Sequence, residues 1–382
     1  MKIVYFSRYE AANVGVHKKI FSQTHNLRTK GIEVKIIFFG FSKEFTSNSD
    51  FVDYHFIKSE EKKNIFQQLK TQYKIFQILV EESKKIKPKE ILYIRFFGPN
   101  PFFLLFLLIN RKFSIVTEHQ SIEPLEIKRS SKNYVYLLSD FLFGKLIRKN
   151  VDAIVGVTEE ITQYQINRSG DREKPHFTIG NGIDVEKIRM KKYCPFDNKE
   201  LNLICVANVS IWHGIDRLIK GLSSYKGEIC VHLHIVGDGP EINNLKHMVE
   251  QLKLENQVTF HGTLTGSSLD DVYDQSHIAV GSLALHRIGI HEATPLKVRE
   301  YASKGIPFII GYSDPDFQQN IASNFFLLVP CDDSIINIQN IIHFASRVYS
   351  DSDLMVKMRN FSYSNLDWGN KTSKLFHFLE AI

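Results

Sequence analysis

The sequence predicts an α/β protein of two Rossmann-like lobes, on three observations. Short β-branched or aromatic runs alternate with helical stretches from the N-terminus onward. The alternation pauses in a charged stretch, Lys187 to Glu200, that contains Cys194-Pro195 and has no periodic apolar pattern, then resumes at Leu201. At 382 residues, 43% of them hydrophobic, the chain has room for two or three domains and the side chains to fill their cores.

In the first lobe the strand candidates are Lys2 to Ser7, Glu33 to Phe39, Glu90 to Arg95, Phe113 to Glu118 and Ala153 to Val157, with helices such as His17 to Lys30 and Asn64 to Ile86 between them. Alternation of this kind predicts a parallel sheet covered by helices on both faces. The second set runs through Leu201 to Ala207, Cys230 to Val236, Val258 to His261, Ile278 to Ser282, Phe308 to Ile310 and Phe326 to Val329. Its helices are Ile215 to Leu222, Glu241 to Leu252 and Leu269 to Gln275. No internal repeat or low-complexity tract interrupts either set. Ligands of such sheets bind beyond the carboxyl ends of the strands, so the post-strand segments carry the functional expectation.

The most informative of these segments is Glu292 to Pro307. Thr294 is a good N-cap, Pro295 a natural first helical residue, and Gly305 and Pro307 are stop signals, which predicts a helix of roughly ten residues. A helix start offers unpaired N–H groups and partial positive charge, and Lys297 adds a full charge, a combination suited to a diphosphate. Glu300 then lies about 7 to 8 Å down the helix, placed to accept hydrogen bonds from two vicinal ribose hydroxyls. Glu292, in the loop before the helix, would face a sugar. The same two acids could equally be solvated or dipole-compensating; spacing alone does not separate these readings.

Several post-strand segments together resemble the family 4 retaining glycosyltransferases of GT-B fold, over nearly the whole chain. Thr178-Ile179-Gly180-Asn181-Gly182-Ile183-Asp184 is similar to the N-G-[IV]-D signature at the end of that family's first lobe. Val206 to Ile219 is similar to the opening of its second lobe, except that Asn208 and His213 stand where the family has Arg and Lys. Two fixed charges are therefore missing from the diphosphate site that the resemblance implies, and Lys297, Arg299 or a protonated His213 is expected to compensate. Ile235 to Glu241 resembles the family's V-G-x-G-P turn, and Phe260-His261-Gly262 the strand end that meets the base. As a dinucleotide fingerprint the first fails, because Ile242 occupies the third glycine position. Gly15, in Ala12 to His17, resembles the loop glycine placed against the donor, and His119, in Thr117-Glu118-His119, the histidine directed at the donor sugar.

The resemblance implies an N-terminal acceptor lobe at 1–186, a C-terminal donor lobe at 187–365, and a helix at 366–382 that crosses back to the first lobe, the lobes facing a central cleft. It implies metal-independent transfer of a hexosyl group, with retention, from a nucleoside diphosphate sugar to an acceptor hydroxyl on a lipid-linked or cell-surface glycan of the bacterial polysaccharide type. Glu292 and His119 are the expected catalytic residues; Gly15, Asn208, His213, Thr294, Pro295, Leu296, Lys297 and Glu300 would bind the donor. No cofactor beyond that donor is expected. A nucleotide-sugar epimerase or hydrolase, or a binding protein whose catalysis has lapsed, would share the architecture.

Composition narrows the setting. The four cysteines, Cys194, Cys205, Cys230 and Cys331, form no C-x-x-C pair, so neither a disulfide framework nor a zinc site is expected. Asp314-Pro315-Asp316 and Asp351-Ser352-Asp353 read as turns rather than metal ligands. The scattered cysteines fit a reducing, cytoplasmic setting; the apolar run in Met1 to Arg8 is too short for a signal-peptide core and reads as a first strand, and the longest such run, Phe102 to Ile109, is too short to span a bilayer. Residues 1–180 hold 29 Lys and Arg against 19 Asp and Glu, whereas the remainder holds 19 against 23. A basic half of this kind could serve nucleic acid, anionic lipid or a phosphorylated acceptor, and could equally be a solvated lysine-rich surface. With the resemblance, the expected partner is an anionic surface at the inner membrane face, reached through helices around Asn64 to Lys87 and Lys132 to Lys149, and not nucleic acid.

Overall fold

Strands that read as continuous apolar runs are those covered on both faces, and the first sheet shows this directly. Successive residues of each strand enter different cores: Ile3 and Tyr5 lie in one, Val4 and Phe6 in the other, and Val34, Ile36 and Phe38 oppose Ile37 and Phe39 in the same way. A computed structural model describes all residues except 11–13, 44, 46–48, 59–64, 111, 131–132 and 319–323. The chain divides into two units, Met1–Gly180 with Trp368–Ile382, and Asn181–Asp367.

The first unit runs β1 (Lys2–Tyr9), α1 (Val14–Thr29), β2 (Glu33–Gly40), β3 (Val52–Phe56), α2 (Ile65–Ser83), β4 (Ile91–Arg95), α3 (Pro101–Ile109) and β5 (Ser114–His119). It continues with α4 (Glu123–Ser130), α5 (Tyr134–Ser139), a π-helical turn (Asp140–Gly144), α6 (Lys145–Asn150), β6 (Ala153–Gly156), α7 (Glu159–Ser169) and β7 (His176–Thr178). All seven strands are parallel, in the order β3-β2-β1-β4-β5-β6-β7. The order reverses between β1 and β4, which opens a crevice at their carboxyl ends. Residues of α2, α3 and α6 pack into the core on one face, and those of α1 into the core on the other.

The second unit runs β8 (Glu200–Val206), α8 (Ile215–Ser224), β9 (Cys230–Val236), α9 (Ile242–Gln251), β10 (Val258–Gly262), α10 (Gly266–Gln275) and β11 (Ile278–Val280). It ends with α11 (Leu296–Lys304), β12 (Phe308–Ile310), β13 (Phe326–Leu328), α12 (Ile338–Tyr349) and α13 (Leu354–Phe361). Its six parallel strands are ordered β10-β9-β8-β11-β12-β13, so its switch point falls between β8 and β11. The last helix, α14 (Trp368–Glu380), belongs to the first unit, where Trp368, Leu375 and Leu379 join the core that holds α1.

Two parallel-sheet Rossmann-like units are thus present. The division falls at Gly180/Asn181. Strands β3 and β7 and helices α3, α4, α7, α12 and α13 are additions to the elements named from sequence. No helix among the described residues is long and apolar enough to cross a membrane.

Candidate functional site

In the second unit the site begins where β8 ends. The loop after β8 lies against the turn after β9, and two glycines permit it: Gly237 (φ 120°) and Gly239 (φ 148°). A Cβ at Gly237 would sit 1.9 Å from the Ala207 carbonyl oxygen, and one at Gly239 within 2.4 Å of the Val209 backbone. The V-G-x-G-P turn is therefore a packing device that lets two post-strand loops touch. Asn208 is exposed beside it, its side-chain oxygen 2.7 Å from where the Gly239 Cβ would be.

His213 is buried in the 3-10 turn (Ile211–His213) that follows. The Ser210 N–H donates to its Nδ1 at 2.9 Å, so Nδ1 is an acceptor and the ring proton sits on Nε2. Burial pushes its pKa well below the usual value, and the Lys297 ammonium pushes the same way. The expectation of a protonated His213 is corrected: a ring that accepts a backbone proton in a desolvated site beside a cation is neutral. His213 can offer a hydrogen-bond donor, not a charge. Its carbonyl accepts from the Leu283 N–H at 3.0 Å, which ties this loop to the one after β11.

Helix α11 begins one residue later than expected. Pro295 is its N-cap, with extended backbone (φ −67°, ψ 140°), and no side chain caps it. Thr294 is not the cap: its Oγ1 accepts from the Asn181 N–H (3.2 Å) and its carbonyl from Asn181 Nδ2 (2.8 Å). Asn181, the signature asparagine, thus brackets the strand-like segment before the helix. Arg299 completes the bracket, donating from Nε to the Asn181 carbonyl (3.1 Å) and pairing through its guanidinium with both Asp314 and Asp316. It is fully buried, so Arg299 is corrected from a spare cation to a structural one, and the D-x-D at 314–316 is engaged in holding it. Asp351, of the second D-x-D, pairs with Lys357 at 2.7 Å and accepts from the Asp353 N–H.

Lys297, in the first turn of α11, is different. Its ammonium nitrogen is buried and has no hydrogen-bond partner. Desolvation lowers its pKa, and the Cys205 thiol offsets this in part. A buried ammonium with no acceptor is costly, and here it stands at an uncapped helix start, where N–H groups and the helix dipole also favour an anion.

The two acids flank this point. Glu292 is half-buried and its backbone bridges Ser313, with the Ala293 N–H donating to the Ser313 carbonyl (3.0 Å) and the Ser313 N–H to that of His291 (2.9 Å). Glu300 is 34% exposed at its side chain, 3.9 Å from a Lys304 ammonium whose nearer partner is Asp270 at 2.7 Å. Leu296 opens the helix between them.

In the first unit, a cavity of about 310 Å³ lies at the switch point and is lined by Arg8, His17, Arg95, Phe96, Glu123 and Tyr136, among others. Behind it, Glu118 is fully buried and accepts from Lys19 Nζ (2.7 Å) and Tyr93 Oη (2.6 Å). Burial would raise its pKa, but Lys19 and Arg95 outweigh that and hold it at about 2. His119 has no exposed surface: Nδ1 meets Glu123 at 2.9 Å, Nε2 meets Thr117 at 3.3 Å, and the ring leans on Phe96. Burial depresses its pKa although Glu123 opposes it. Glu123, not His119, lines the cavity. Gly15 is an exposed residue of the first turn of α1 rather than a loop glycine, and Ala12-Asn13 lie outside the described residues.

Sequence reasoning missed Arg95, Glu123 and Tyr136. Arg95 could have been found, since it ends a strand candidate at the carboxyl edge as Arg8 follows another; Glu123 and Tyr136 stand on α4 and α5, which carry no strong periodic signal.

Residues 186–356, a stretch inside the second unit and just under half of the chain, match the family model for glycosyl transferases group 1. Similar solved structures span the whole chain. Sucrose-phosphate synthase from Thermosynechococcus elongatus is 14% identical with a TM-score of 0.71, covering 100% of this chain and 98% of its own. The lipopolysaccharide outer core galactosyltransferase WaaB is 15% identical at 0.66, covering 99% of each chain. Anabaena HepE, solved with UDP and glucose, is 15% identical at 0.65, covering 100% of each. No curated protein sequence matches. The fold is that of the GT-B glycosyltransferases, with a group 1 glycosyl transferase match over its second Rossmann-like unit.

Proposed function

We propose that the protein is a retaining, metal-independent hexosyltransferase that uses a nucleoside diphosphate sugar and delivers the sugar to a hydroxyl of a lipid-linked or cell-surface glycan. The observation that carries this reading is the buried Lys297 ammonium, without a hydrogen-bond partner, at the uncapped start of α11. A diphosphate is the ligand that answers both features at once. Neighbours of the same fold solved with UDP and with UDP-glucose lend the donor class support.

In this reading the donor phosphates meet the first turn of α11 at Pro295, Leu296 and Lys297, with Thr294 fixing that turn through Asn181. His213 donates from Nε2 and Asn208 supplies a neutral amide, so Lys297 carries the charge that two basic residues carry elsewhere in the family. Glu300 takes the ribose hydroxyls, and Glu292 orients the sugar and favours its oxocarbenium-like centre. The bond from the anomeric carbon to the phosphate oxygen breaks, and the bond to the acceptor oxygen forms on the same face. The acceptor proton passes to the leaving phosphate. His119 is neutral and enclosed, and serves by holding Glu123; Gly15 leaves the start of α1 uncrowded. The enzyme needs no further cofactor.

The test is thermal stabilisation by a panel of nucleoside diphosphates and their sugars, comparing the native chain with Lys297→Met and Glu300→Ala, followed by product analysis. A specific diphosphate shift that Lys297→Met abolishes is expected, with retained-configuration transfer. Free sugar or an epimer as the main product would assign a hydrolase or epimerase instead. Asn208 and the neutral His213 favour one rival, a binding protein without turnover, which donor binding with no transfer to any acceptor would establish.

A further inference from the structure

The outer surface of the first unit carries a feature that sugar transfer does not use. Among the described residues, twelve of the nineteen exposed large hydrophobic side chains lie on α2, α3 and the α5–α6 segment. These helices form a single layer. Ile75 and Leu79 of α2, Phe103 and Phe106 of α3, and Ile147 of α6 all enter one core on the same face of the sheet, so their opposite sides form the outside of that layer.

The exposed residues follow helical stripes. On α2 they are Phe66, Leu69 and Tyr73; on α3, Leu105, Leu108 and Ile109; on the α5–α6 segment, Leu138, Phe141 and Leu142. Phe66 and Phe141 are 78% and 76% exposed. Tyr73 of α2 stacks edge-on against Phe102 of α3 at 5.5 Å, so two of the stripes adjoin. α3 has no charged residue along its length and is apolar on every side. A contiguous patch of this kind marks an interaction surface.

Charge selects the occupant. From Ile65 to Val80 α2 carries Lys70 and Lys74 and no acid. The only acid of the α5–α6 segment is Asp140, which is buried and paired with Arg148 and Arg168, while Lys145 and Lys149 are exposed. Over the full length of these helices the surface charge is Lys70, Lys74, Lys145 and Lys149 against Glu81 in the last turn of α2, so it is predominantly positive. An apolar layer edged by lysines is the pattern of a surface that lies in a lipid interface rather than crossing it.

We propose that this face docks on an anionic phospholipid bilayer, with the aromatic and aliphatic stripes entering the interface and the lysines meeting the headgroups. The proposal rests on the first unit alone and stands or falls separately from the donor site.

The experiment is flotation with vesicles of phosphatidylcholine alone and of equimolar phosphatidylcholine and phosphatidylglycerol. The native chain should float with the second and not the first, and Phe66→Ser/Phe141→Ser should weaken partition about tenfold or more. Lys145→Glu/Lys149→Glu should weaken it by a similar factor, and unchanged thermal midpoints would show both variants folded. Equal binding to both vesicles, or binding untouched by Phe66→Ser/Phe141→Ser, overturns the proposal. So does a vesicle-indifferent dimer that the same variant dissociates, which would give the face to a second copy of the chain.

Discussion

The two units treat a buried lysine in opposite ways at their switch points. In the first, Lys19 lies 2.7 Å from Glu118, Arg95 lies 4.0 Å from the same carboxylate, and Arg148 lies 3.0 Å from Asp140. Two tyrosines and two glutamines complete the shell of Glu118. In the second, Lys297 stands buried with no acceptor. Most buried polar groups in folded proteins find partners, so Lys19, with two acceptors, reads as scaffold and the Lys297 ammonium, with none, as a place kept for a ligand.

The second unit contains its own control. Arg299, two residues past Lys297 on the same helix, is fully buried and answered by Asp314, Asp316 and the Asn181 carbonyl. Arg299→Ala leaves two carboxylates facing each other, one of them fully buried, and should cost about 3 to 5 kcal/mol in denaturant unfolding. A loss below about 1 kcal/mol would mean that the network is not what anchors α11, and the contrast with Lys297 would fail.

Glu118 gives the next largest effect, and it depends on pH. Its carboxyl is held at about 2, below its ordinary value of 4.5, so the stability it contributes is complete above pH 4.5 and drains away as pH falls toward 2. Glu118→Gln should cost about 3 kcal/mol at neutral pH and flatten the acid limb of the stability profile. An unchanged acid limb would show that the cluster does not hold this charge. Burial moves the titration of His119 below its usual value, with Glu123 opposing the shift.

Lys297→Met sharpens the comparison because it moves two quantities in opposite directions. Removing a buried, unanswered charge should raise the stability of the unliganded protein by about 1 kcal/mol, while donor affinity falls by about 2 kcal/mol, roughly thirtyfold. A scaffold lysine would lose stability and leave binding alone. Calorimetric unfolding with and without UDP reads both numbers.

These contrasts mark what could be read from the chain. The fold was legible because parallel strands buried on both faces spell themselves as apolar runs, and the post-strand rule led to the segment 292–300. The all-apolar stretch Phe102 to Ile109 was noticed but not assigned, since a run without periodicity does not separate strand from helix; Asn100, accepting from the Phe103 N–H at 2.9 Å, and Pro101 are what start α3. Charge was legible and its partners were not. Lys297, Arg299 and His213 look interchangeable as cations in sequence, yet one is unanswered, one is locked, and one is neutral, because their partners come from segments up to 118 residues away.

Thr294 offers the finest test of that lesson. As an N-cap it would tolerate or welcome aspartate, whose charge favours a helix start by several tenths of a kcal/mol. In the observed bracket Thr294 is 3% exposed and its Oγ1 answers the Asn181 N–H, leaving no water for a carboxylate. Thr294→Asp should therefore destabilise the protein by about 1 to 2 kcal/mol, and Thr294→Ser by much less, because serine keeps the acceptor. The sign decides: a gain in stability for Thr294→Asp would return the residue to the helix and leave Asn181 without a role in positioning the first turn of α11.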